Sequence, residues 1–133
     1  MKILRKTNPD TSLSLLPWYV PFDQTKEQIG LELNDKMIHH PDDTLVLVVM
    51  DDAEKHILGF SIAYARYDDV FIWQARNINL SRPEVDLVLE QIYAWARQKG
   101  FSRIAAIPNR NPKIWKRRWG FIKSINNEVI KEI

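Results

Sequence analysis

Apolar residues recur with a helical period in the first third of the chain. Between residues 25 and 38, Ile29, Leu33 and Met37 stand four positions apart, which is the spacing of one helix face. Pro41 follows this stretch, and helices usually end before a proline. We therefore predict a helix over residues 25–38.

The chain then changes to a strand period. Three runs rich in β-branched and aromatic residues are separated by short turn-like segments, at residues 44–50, 57–67 and 70–79. Short connections between such runs favour an antiparallel meander. The first run is apolar throughout, so we expect it to be a central strand. The other two runs include polar residues that we expect to face solvent, namely Arg66, Gln74 and Arg76.

A second helical stripe follows the meander. Apolar residues at positions 85, 88, 89, 92 and 96 define one face of a helix. Just before this stripe, Ser81 and Glu84 have the spacing of a capping box, in which the two side chains bond to each other's backbone amides. Gly100 suits the position after a helix end. The pattern predicts a long helix that starts after Ser81.

The remaining segments complete one predicted domain over residues 1–133. They are a strand at 2–6, a proline-interrupted helical segment at 11–22, a strand at 103–108, a short helix at 112–119 closed by Gly120, and a hairpin that turns at Asn126 and Asn127. The predicted order is β-α-α-βββ-α-β-α-ββ. This order favours an α/β or α+β fold, with a mixed but mostly antiparallel sheet flanked by helices.

Composition narrows the class of protein. The chain has 133 residues, 45% of them apolar, which is enough to bury a core. The absence of cysteine excludes disulfides, thiolate zinc sites and cysteine nucleophiles. The longest apolar run, at 45–50, has six residues, far below the roughly 20 that span a bilayer. The N-terminal region lacks the apolar stretch of a signal peptide, so we expect a cytoplasmic protein without a membrane partner.

Three motifs follow one another in the second half of the chain. "WARQKGF" ends the long helix, "RIAAIPNRN" gives the next strand, and "PKIWKRRWGF" ends a short helix on Gly-Phe. In this order they resemble the GNAT superfamily of N-acetyltransferases, and the resemblance covers about two-thirds of the chain, from Thr44 onward. It implies a GNAT-like fold and, for an active member, acetyl-CoA as the cofactor.

The resemblance also places the cofactor loop of that family. Its members bind the diphosphate of acetyl-CoA on a loop of the form Q/R-x-x-G-x-G/A, whose glycines let the backbone amides approach the phosphates. Counting back from Gly100 places this loop on residues 80–85. Leu80 stands at the Q/R position, and Pro83 and Val85 replace the two glycines. All three determinants of the family loop are missing.

The residues that replace the motif also disfavour a diphosphate. Pro83 has no N–H to donate. Glu84 and Asp86 bring two carboxylates into the first turn, where they favour the helix dipole but repel phosphate. Arg82 could offset one of them. Because the capping box also uses amides of the helix start, we expect no ordinary acetyl-CoA binding on this loop.

The catalytic positions of the family are also atypical. The tyrosine that serves as its general acid corresponds to Lys116, and an exposed lysine is a poor proton donor at neutral pH. The strand at 70–79 has no carboxylate to act as a base, and we expect Asp68 and Asp69 to be solvated turn residues. No catalytic residue is therefore assigned. The candidate cofactor-binding residues are Arg76, Arg82 and Asn109, of which the resemblance implies Asn109, at the position of the family's Asn after the fifth strand that contacts the pantetheine arm.

Charge is unevenly distributed although the formal net charge is only +2. Residues 91–127 include nine basic residues and no acidic one. Such a face could meet the 3′-phosphate of CoA, nucleic acid or an acidic protein surface. Trp115 and Trp119 have the spacing of a buried stripe, which favours a helix whose basic side chains are simply solvated. We therefore do not expect a nucleic-acid partner.

One stretch rich in histidine and another rich in aromatic residues could indicate binding sites, but each has an ordinary structural explanation. His39 and His40 are adjacent and point in different directions on a helix, so we expect no metal site. Trp18 and Tyr19, with Phe22, could cover a binding groove or a partner surface, although core filling is the more ordinary role.

Three hypotheses for function remain. In the first, which we favour, the protein has a GNAT-like fold with a degenerate loop, binds no cofactor, and acts by binding a protein partner or by self-association. The chain also resembles small single-domain members encoded by phages, in which a fold can serve as an assembly component, and such an origin would make the location viral. In the second, it is an acetyl-CoA-dependent N-acetyltransferase acting on a small-molecule or protein amine. The third, a nucleic-acid-binding module, is the weakest.

Overall fold

The computed structural model describes residues 1–108, 111–124 and 126–133. The strands are β1 Lys2–Arg5, β2 Thr44–Met50, β3 Ile57–Ala65, β4 Val70–Asn77, β5 Arg103–Ala106, β6 Ile122–Lys123 and β7 Val129–Glu132. The helices are α1 Thr11–Ser14, α2 Lys26–His39, α3 Arg82–Gln98 and α4 Pro112–Trp119, with 3-10 turns at Leu16–Trp18 and Pro41–Asp43. The predicted order of helices and strands is confirmed. Within the described ranges, no helix is long and apolar enough to cross a bilayer.

The seven strands form one mixed sheet in the order β1-β2-β3-β4-β5-β7-β6. Every neighbouring pair is antiparallel except β4 and β5, which are parallel and joined through α3. The mostly antiparallel sheet is therefore confirmed. Strand β2 is paired on both edges, as expected for an apolar strand, but the middle position of the sheet belongs to β4.

The core lies on both faces of this sheet. Along β2, Val46 and Val48 pack against α2, whereas Leu45, Leu47 and Val49 pack against α3 on the opposite face. The buried residues of the two helices include the predicted stripe of α2, Ile29, Leu33 and Met37, and all of the predicted α3 stripe except Val85, which is half-buried: Val88, Leu89, Ile92 and Ala96. Helix α4 joins the α3 face through two tryptophans. Helices thus cover both faces of one sheet.

The predicted chain reversals also lie where the sequence indicates. Gly100 and Gly120 follow α3 and α4 with φ of 88° and 77°, in the left-handed region that glycine adopts readily. Asn126 and Asn127 have φ of 60° and 62° and separate β6 from β7. Asparagine tolerates this conformation better than most residues, which explains the position of the last hairpin.

Two expectations about polar residues in the meander are wrong. Asp69 is not solvated: it is buried, and its carboxylate accepts hydrogen bonds of 2.6 and 2.8 Å from Arg66. Glu128 accepts two further bonds from the same guanidinium, so the β3–β4 turn is bound to the last hairpin. The hydrogen bonds from the guanidinium to Asp69, and to a lesser extent those to Glu128, raise the pKa of Arg66. Gln74 is buried as well, whereas Arg76 is exposed as expected.

Candidate functional site: the β4–β5 notch and its loop

The parallel strands β4 and β5 pair over only part of their length. The pairs are Val70 with Ile104, Phe71 with Ala105 and Ile72 with Ala106. Strand β5 ends at Ala106, whereas β4 continues to Asn77 with β3 as its paired neighbour. The carboxyl ends of parallel strands are the usual ligand-binding edge of such sheets. The edge at which these two strands end, which we call the β4–β5 notch, is therefore the first candidate site.

An irregularity in β4 lies where the notch begins. Ile62 of β3 pairs with Gln74 and Ala63 pairs with Ile72, so Trp73 is an extra residue in β4. Such a bulge bends a strand and increases its twist, which helps β4 to leave β5. Trp73 packs with the core on the α2 face, and its ring centroid lies 5.9 Å from that of Tyr64.

The buried Gln74 binds the segment that precedes α2. Its side-chain oxygen accepts a hydrogen bond of 2.8 Å from the Val20 N–H, and its side-chain nitrogen donates one of 3.1 Å to the Val20 carbonyl. Nearby, Tyr19 is buried and donates to the Ser12 carbonyl, whereas the side chain of Phe22 is 71% exposed. Trp18 and Tyr19 therefore fill core, as the ordinary interpretation predicted, and only Phe22 is available to a partner.

The loop between β4 and α3 is closed by its own hydrogen bonds. Asn77 accepts from the Leu80 N–H at 2.7 Å and donates to the Leu80 carbonyl at 3.1 Å. The amides of Ile78 and Asn79 both donate to the Leu58 carbonyl, at 3.0 and 2.9 Å. The side chain of Leu80, at the family's Q/R position, is half-buried against the core on the α3 face.

This packing depends on a glycine in β3. A Cβ at Gly59 would lie 2.6 Å from Cδ1 of Leu80 and 2.8 Å from the carbonyl oxygen of Arg76, both closer than packed atoms approach. The glycine therefore lets the loop lie directly on β3. Leu80 is a packing residue here, and it has no polar group to offer a ligand.

The predicted capping box at the start of α3 is confirmed. The Ser81 N–H donates to Oε1 of Glu84 at 2.8 Å, and the Glu84 N–H donates to Oγ of Ser81 at 3.4 Å. The Val85 N–H donates to the Ser81 carbonyl at 3.0 Å. The Glu84 carboxylate accepts a hydrogen bond from the Ser81 N–H and also interacts with the Ser81 hydroxyl. The first of these contacts, and then the second, lower the pKa of Glu84. The carboxylate is therefore anionic at neutral pH where a diphosphate would approach.

Few amides of this loop remain for a ligand. Of the residues 78–85, six donate their N–H to other protein groups: 78, 79, 80, 81, 84 and 85. Pro83 has no N–H. Among the described residues, only the Arg82 amide in this segment has no acceptor within the protein. A diphosphate on the loop would thus find one free backbone donor.

The candidate cofactor-binding arginines lie at this end of the sheet. Arg76 is near the carboxyl end of β4 and Arg82 is the first residue of α3, and both are exposed. Neither forms an ion pair with another described residue. Asn109, the third candidate, lies outside the described residues. The structure thus brings two of the three candidates to one end of β4.

Helix α4 presents the residue at the family's general-acid position to solvent. Lys116 is exposed, as are Arg117 and Arg118, whereas Trp115 and Trp119 are half-buried. The two indole rings pack edge to face at 5.3 Å between centroids. The two tryptophans therefore pack on the core as predicted, but they are half-buried and no residue of α4 is fully buried.

Helix α4 is bound to α3 by one polar contact. The Trp119 indole N–H donates a hydrogen bond of 2.9 Å to Oδ1 of Asp86. Asp86 therefore positions α4. It lies in the second turn of α3, so the expectation of two carboxylates in the first turn is wrong for Asp86 and holds for Glu84 alone. Next to it, a cleft of about 250 Å³ is lined partly by Tyr93 and Lys131. Among the described residues the Tyr93 hydroxyl has no hydrogen-bond partner, and its burial raises the pKa of Tyr93.

Metal ligands do not converge in the described parts of the chain. No group of three or more histidine, aspartate or glutamate side chains there is placed to bind a metal ion. His39 is near Asp35, with 3.6 Å between Nε2 and Oδ1, as residues one helical turn apart often are.

Comparison with known proteins adds the fold but no function. The chain matches no sequence model of a known protein family. No curated protein is similar to it in sequence. Solved structures are similar in fold, and three of them illustrate the match.

An acetyltransferase from Thermus thermophilus has 15% identity and a TM-score of 0.68, over 100% of this chain and 98% of that one. A protein from Desulfovibrio desulfuricans assigned to the GNAT acetyltransferases has 11% identity and a TM-score of 0.67, over 98% of both chains. The PaiA N-acetyltransferase from Thermoplasma acidophilum, solved with coenzyme A, has 14% identity and a TM-score of 0.61, over 100% of both chains. The chain therefore has the GNAT fold, as its motifs indicated.

Sequence reasoning missed three residues that shape this site. Gln74 is a polar residue in a largely apolar run, which is the signal of a buried hydrogen bond, but it was expected to face solvent. Asn77 and Gly59 act through a loop and a neighbouring strand. Their roles depend on a pairing register that no local pattern specifies.

Proposed function

We propose that this protein uses the GNAT fold to bind a protein partner and does not perform ordinary acetyl transfer from acetyl-CoA. The observation that supports this most directly is the use of loop amides: six donors in residues 78–85 bond within the protein, and among the described residues of that segment Arg82 alone has a free N–H. Anion sites at helix starts depend on several such amides. A self-capped helix start with an anionic Glu84 therefore opposes a diphosphate.

The chemistry available at the notch supports the same proposal. Lys116, at the general-acid position, is exposed to solvent. Strand β4 has no carboxylate for a general base, and Asp69 before it is bonded to Arg66. An assembly component, as in the small phage-encoded members that the chain resembles, is the role that we propose for such a protein.

One observation favours a second candidate, an N-acetyltransferase with an atypical loop. The parallel pairing of β4 with β5 ends at Ile72 and Ala106 in the described residues, and an extended pantetheine arm would lie along the rest of β4. Arg76, Arg82 and Asn109 would then contact the coenzyme, and the acceptor would be a small-molecule or protein amine. The structural neighbour from Thermoplasma acidophilum was solved with coenzyme A.

Thermal melting with added coenzyme separates the two candidates. A ligand that binds only the folded state raises the melting temperature by mass action, by about 2.7 kcal/mol at about 100 times its dissociation constant. We expect no shift with acetyl-CoA or coenzyme A. Adenosine 3′,5′-bisphosphate, which shares phosphates with the coenzyme but lacks pantetheine, reports unspecific anion binding.

A variant that restores the loop motif provides the matched comparison. Leu80→Gln, Pro83→Gly and Val85→Gly return the family pattern to this segment, and Ser81→Ala with Glu84→Ala removes the capping box and its carboxylate. We expect this variant, if folded by circular dichroism, to gain a coenzyme-dependent shift that the unmodified chain lacks. A saturable shift in the unmodified chain with acetyl-CoA, larger than that with the bisphosphate, would favour the acetyltransferase.

A further inference from the structure

The two faces of the sheet are covered by helices of opposite charge. Residues 23–43, which include α2, have six acidic residues and two lysines. Residues 113–123, which include α4, have five basic residues and no acidic one. Because α2 and α4 pack on opposite faces of the sheet, the two charged surfaces point in opposite directions.

The charges on each surface are largely free of partners of opposite sign. Among the described residues, no cation of α4 forms an ion pair. On α2, both lysines are occupied within the protein: Lys26 donates to the Pro17 carbonyl at 2.9 Å, and Nζ of Lys36 lies 4.0 Å from the ring centroid of Tyr64. Each surface is therefore available to a surface of the opposite charge.

The acidic surface also exposes large apolar side chains. Leu31 is 73% exposed and Ile38 is 51% exposed, and they lie seven residues apart on the outer face of α2. Glu27 and Asp35 are exposed four residues to either side of Leu31. An apolar centre with a charged rim is the composition of a protein interface.

We infer that the outer face of α2 in one copy of this chain binds the basic face of α4 in a second copy. The contact joins two different surfaces, so it is head-to-tail, and repetition leads to a ring or to an open chain of copies. The inference rests on the proposed function in that it names the protein partner, a second copy.

The size of the surfaces indicates weak association. Helix α4 has eight residues and is therefore about 12 Å long. A contact of this length buries less than the roughly 1,600 Å² of a standard interface. We expect assembly that rises with protein concentration and depends strongly on salt, because exposed charges supply much of the attraction.

Sedimentation analysis of the full chain tests this directly. At about 0.1 M salt, where the Debye length is about 10 Å, the average mass is expected to rise with concentration above the 15.7 kDa of one chain. At about 1 M salt, where the Debye length is about 3 Å, it is expected to return to one chain. A single-chain mass at every concentration in low salt overturns the inference.

Two charge-reversal variants locate the contact. Lys116→Glu with Arg117→Glu lowers the charge of residues 113–123 from +5 to +1, and Glu27→Lys with Asp35→Lys changes that of residues 23–43 from −4 to 0. Each variant alone is expected to stay a single chain in low salt, because one of its two faces has lost most of its charge. An equimolar mixture is expected to regain association, because the unchanged α2 face of the first variant meets the unchanged α4 face of the second.

A control separates this contact from a general effect of net charge. Arg5→Glu with Lys55→Glu changes the net charge as much as the α4 variant does, but both residues lie outside the two helices. We expect this control to assemble like the unmodified chain. Loss of assembly in the control, or variants that stay single when mixed, overturns the inference. Thermal melting confirms that each variant is folded.

The outcomes also separate this inference from the proposed function. A chain that stays single and binds no acetyl-CoA removes the second copy as partner and leaves the proposed function in place. A chain that assembles and also binds acetyl-CoA at the notch removes the proposed function and leaves the inference in place.

Discussion

Removing the hydroxyl of Ser81 is the simplest way to disturb the self-capped loop. In Ser81→Ala the Glu84 N–H loses its acceptor, whereas the bond from the Ser81 amide to the Glu84 carboxylate can still form. Replacing a serine N-cap by alanine typically costs about 1 kcal/mol, within a range of about 0.5–2 kcal/mol. The bond lost here is 3.4 Å long, which is longer than most N–H···O bonds, so the low end of that range applies.

The expected change is therefore about 0.5–1 kcal/mol in the free energy of unfolding. In a chain of 133 residues this corresponds to a fall of about 2–4 °C in the melting temperature. Urea unfolding followed by tryptophan fluorescence and thermal melting by circular dichroism both measure it. Ser81→Asn is the matched control, because asparagine caps helices as well as serine does.

The same network predicts a dependence on pH. The hydrogen bonds from Ser81 lower the pKa of Glu84 in the folded chain below its usual 4.5. Its anionic form thus stabilises the fold above pH 4.5, and this contribution is lost as the pH falls through the lowered pKa. Glu84→Gln keeps an acceptor for the capping box but cannot titrate, so we expect its stability to depend less on pH in this range.

Equal stability of the Ser81→Ala variant and the unmodified chain would refute this reasoning. So would a loss in Ser81→Asn as large as that in Ser81→Ala, because the residue would then act through something other than capping.

Three further substitutions test contacts around the notch, each by urea unfolding. Gly59→Ala places a methyl group against the β4–α3 loop and the β4 backbone, and we expect a loss of about 1–3 kcal/mol; a neutral result would contradict the close packing. Arg66→Ala leaves the buried Asp69 without its partner, and because the arginine is partly exposed we expect about 2 kcal/mol, only partly recovered in Arg66→Lys. Gln74→Leu removes both bonds to the segment before α2 and is expected to cost about 1–3 kcal/mol, whereas no loss would show that water replaces them.

Local patterns were sufficient to predict most of the fold. The stripe of Ile29, Leu33 and Met37 and the longer stripe of α3 specify helices because burial of one face requires that spacing. The reversals at Gly120 and Asn126 follow from residues that tolerate positive φ. These features depend on residues close in sequence, where propensity and periodicity are informative.

The site was predicted only in part because its contacts join distant residues. The capping box lies within four residues and was visible in the sequence. The packing of Leu80 on Gly59 and the hydrogen bonds between Gln74 and Val20 depend on how the strands pair. A shift of one residue in the pairing register would turn each strand side chain to the other face of the sheet. The burial of Asp69 likewise depends on an arginine and on the last hairpin.

Amide hydrogen exchange across residues 78–85, measured with and without coenzyme A, tests the central claim most directly. We expect the amides of Ile78, Asn79, Leu80 and Ser81 to be protected in the free protein and the Arg82 amide to exchange fastest in the segment, with no change on adding coenzyme A. Rapid exchange of all these amides in the free protein, followed by protection when coenzyme A is added, would show that the donors are free and that the loop binds the diphosphate.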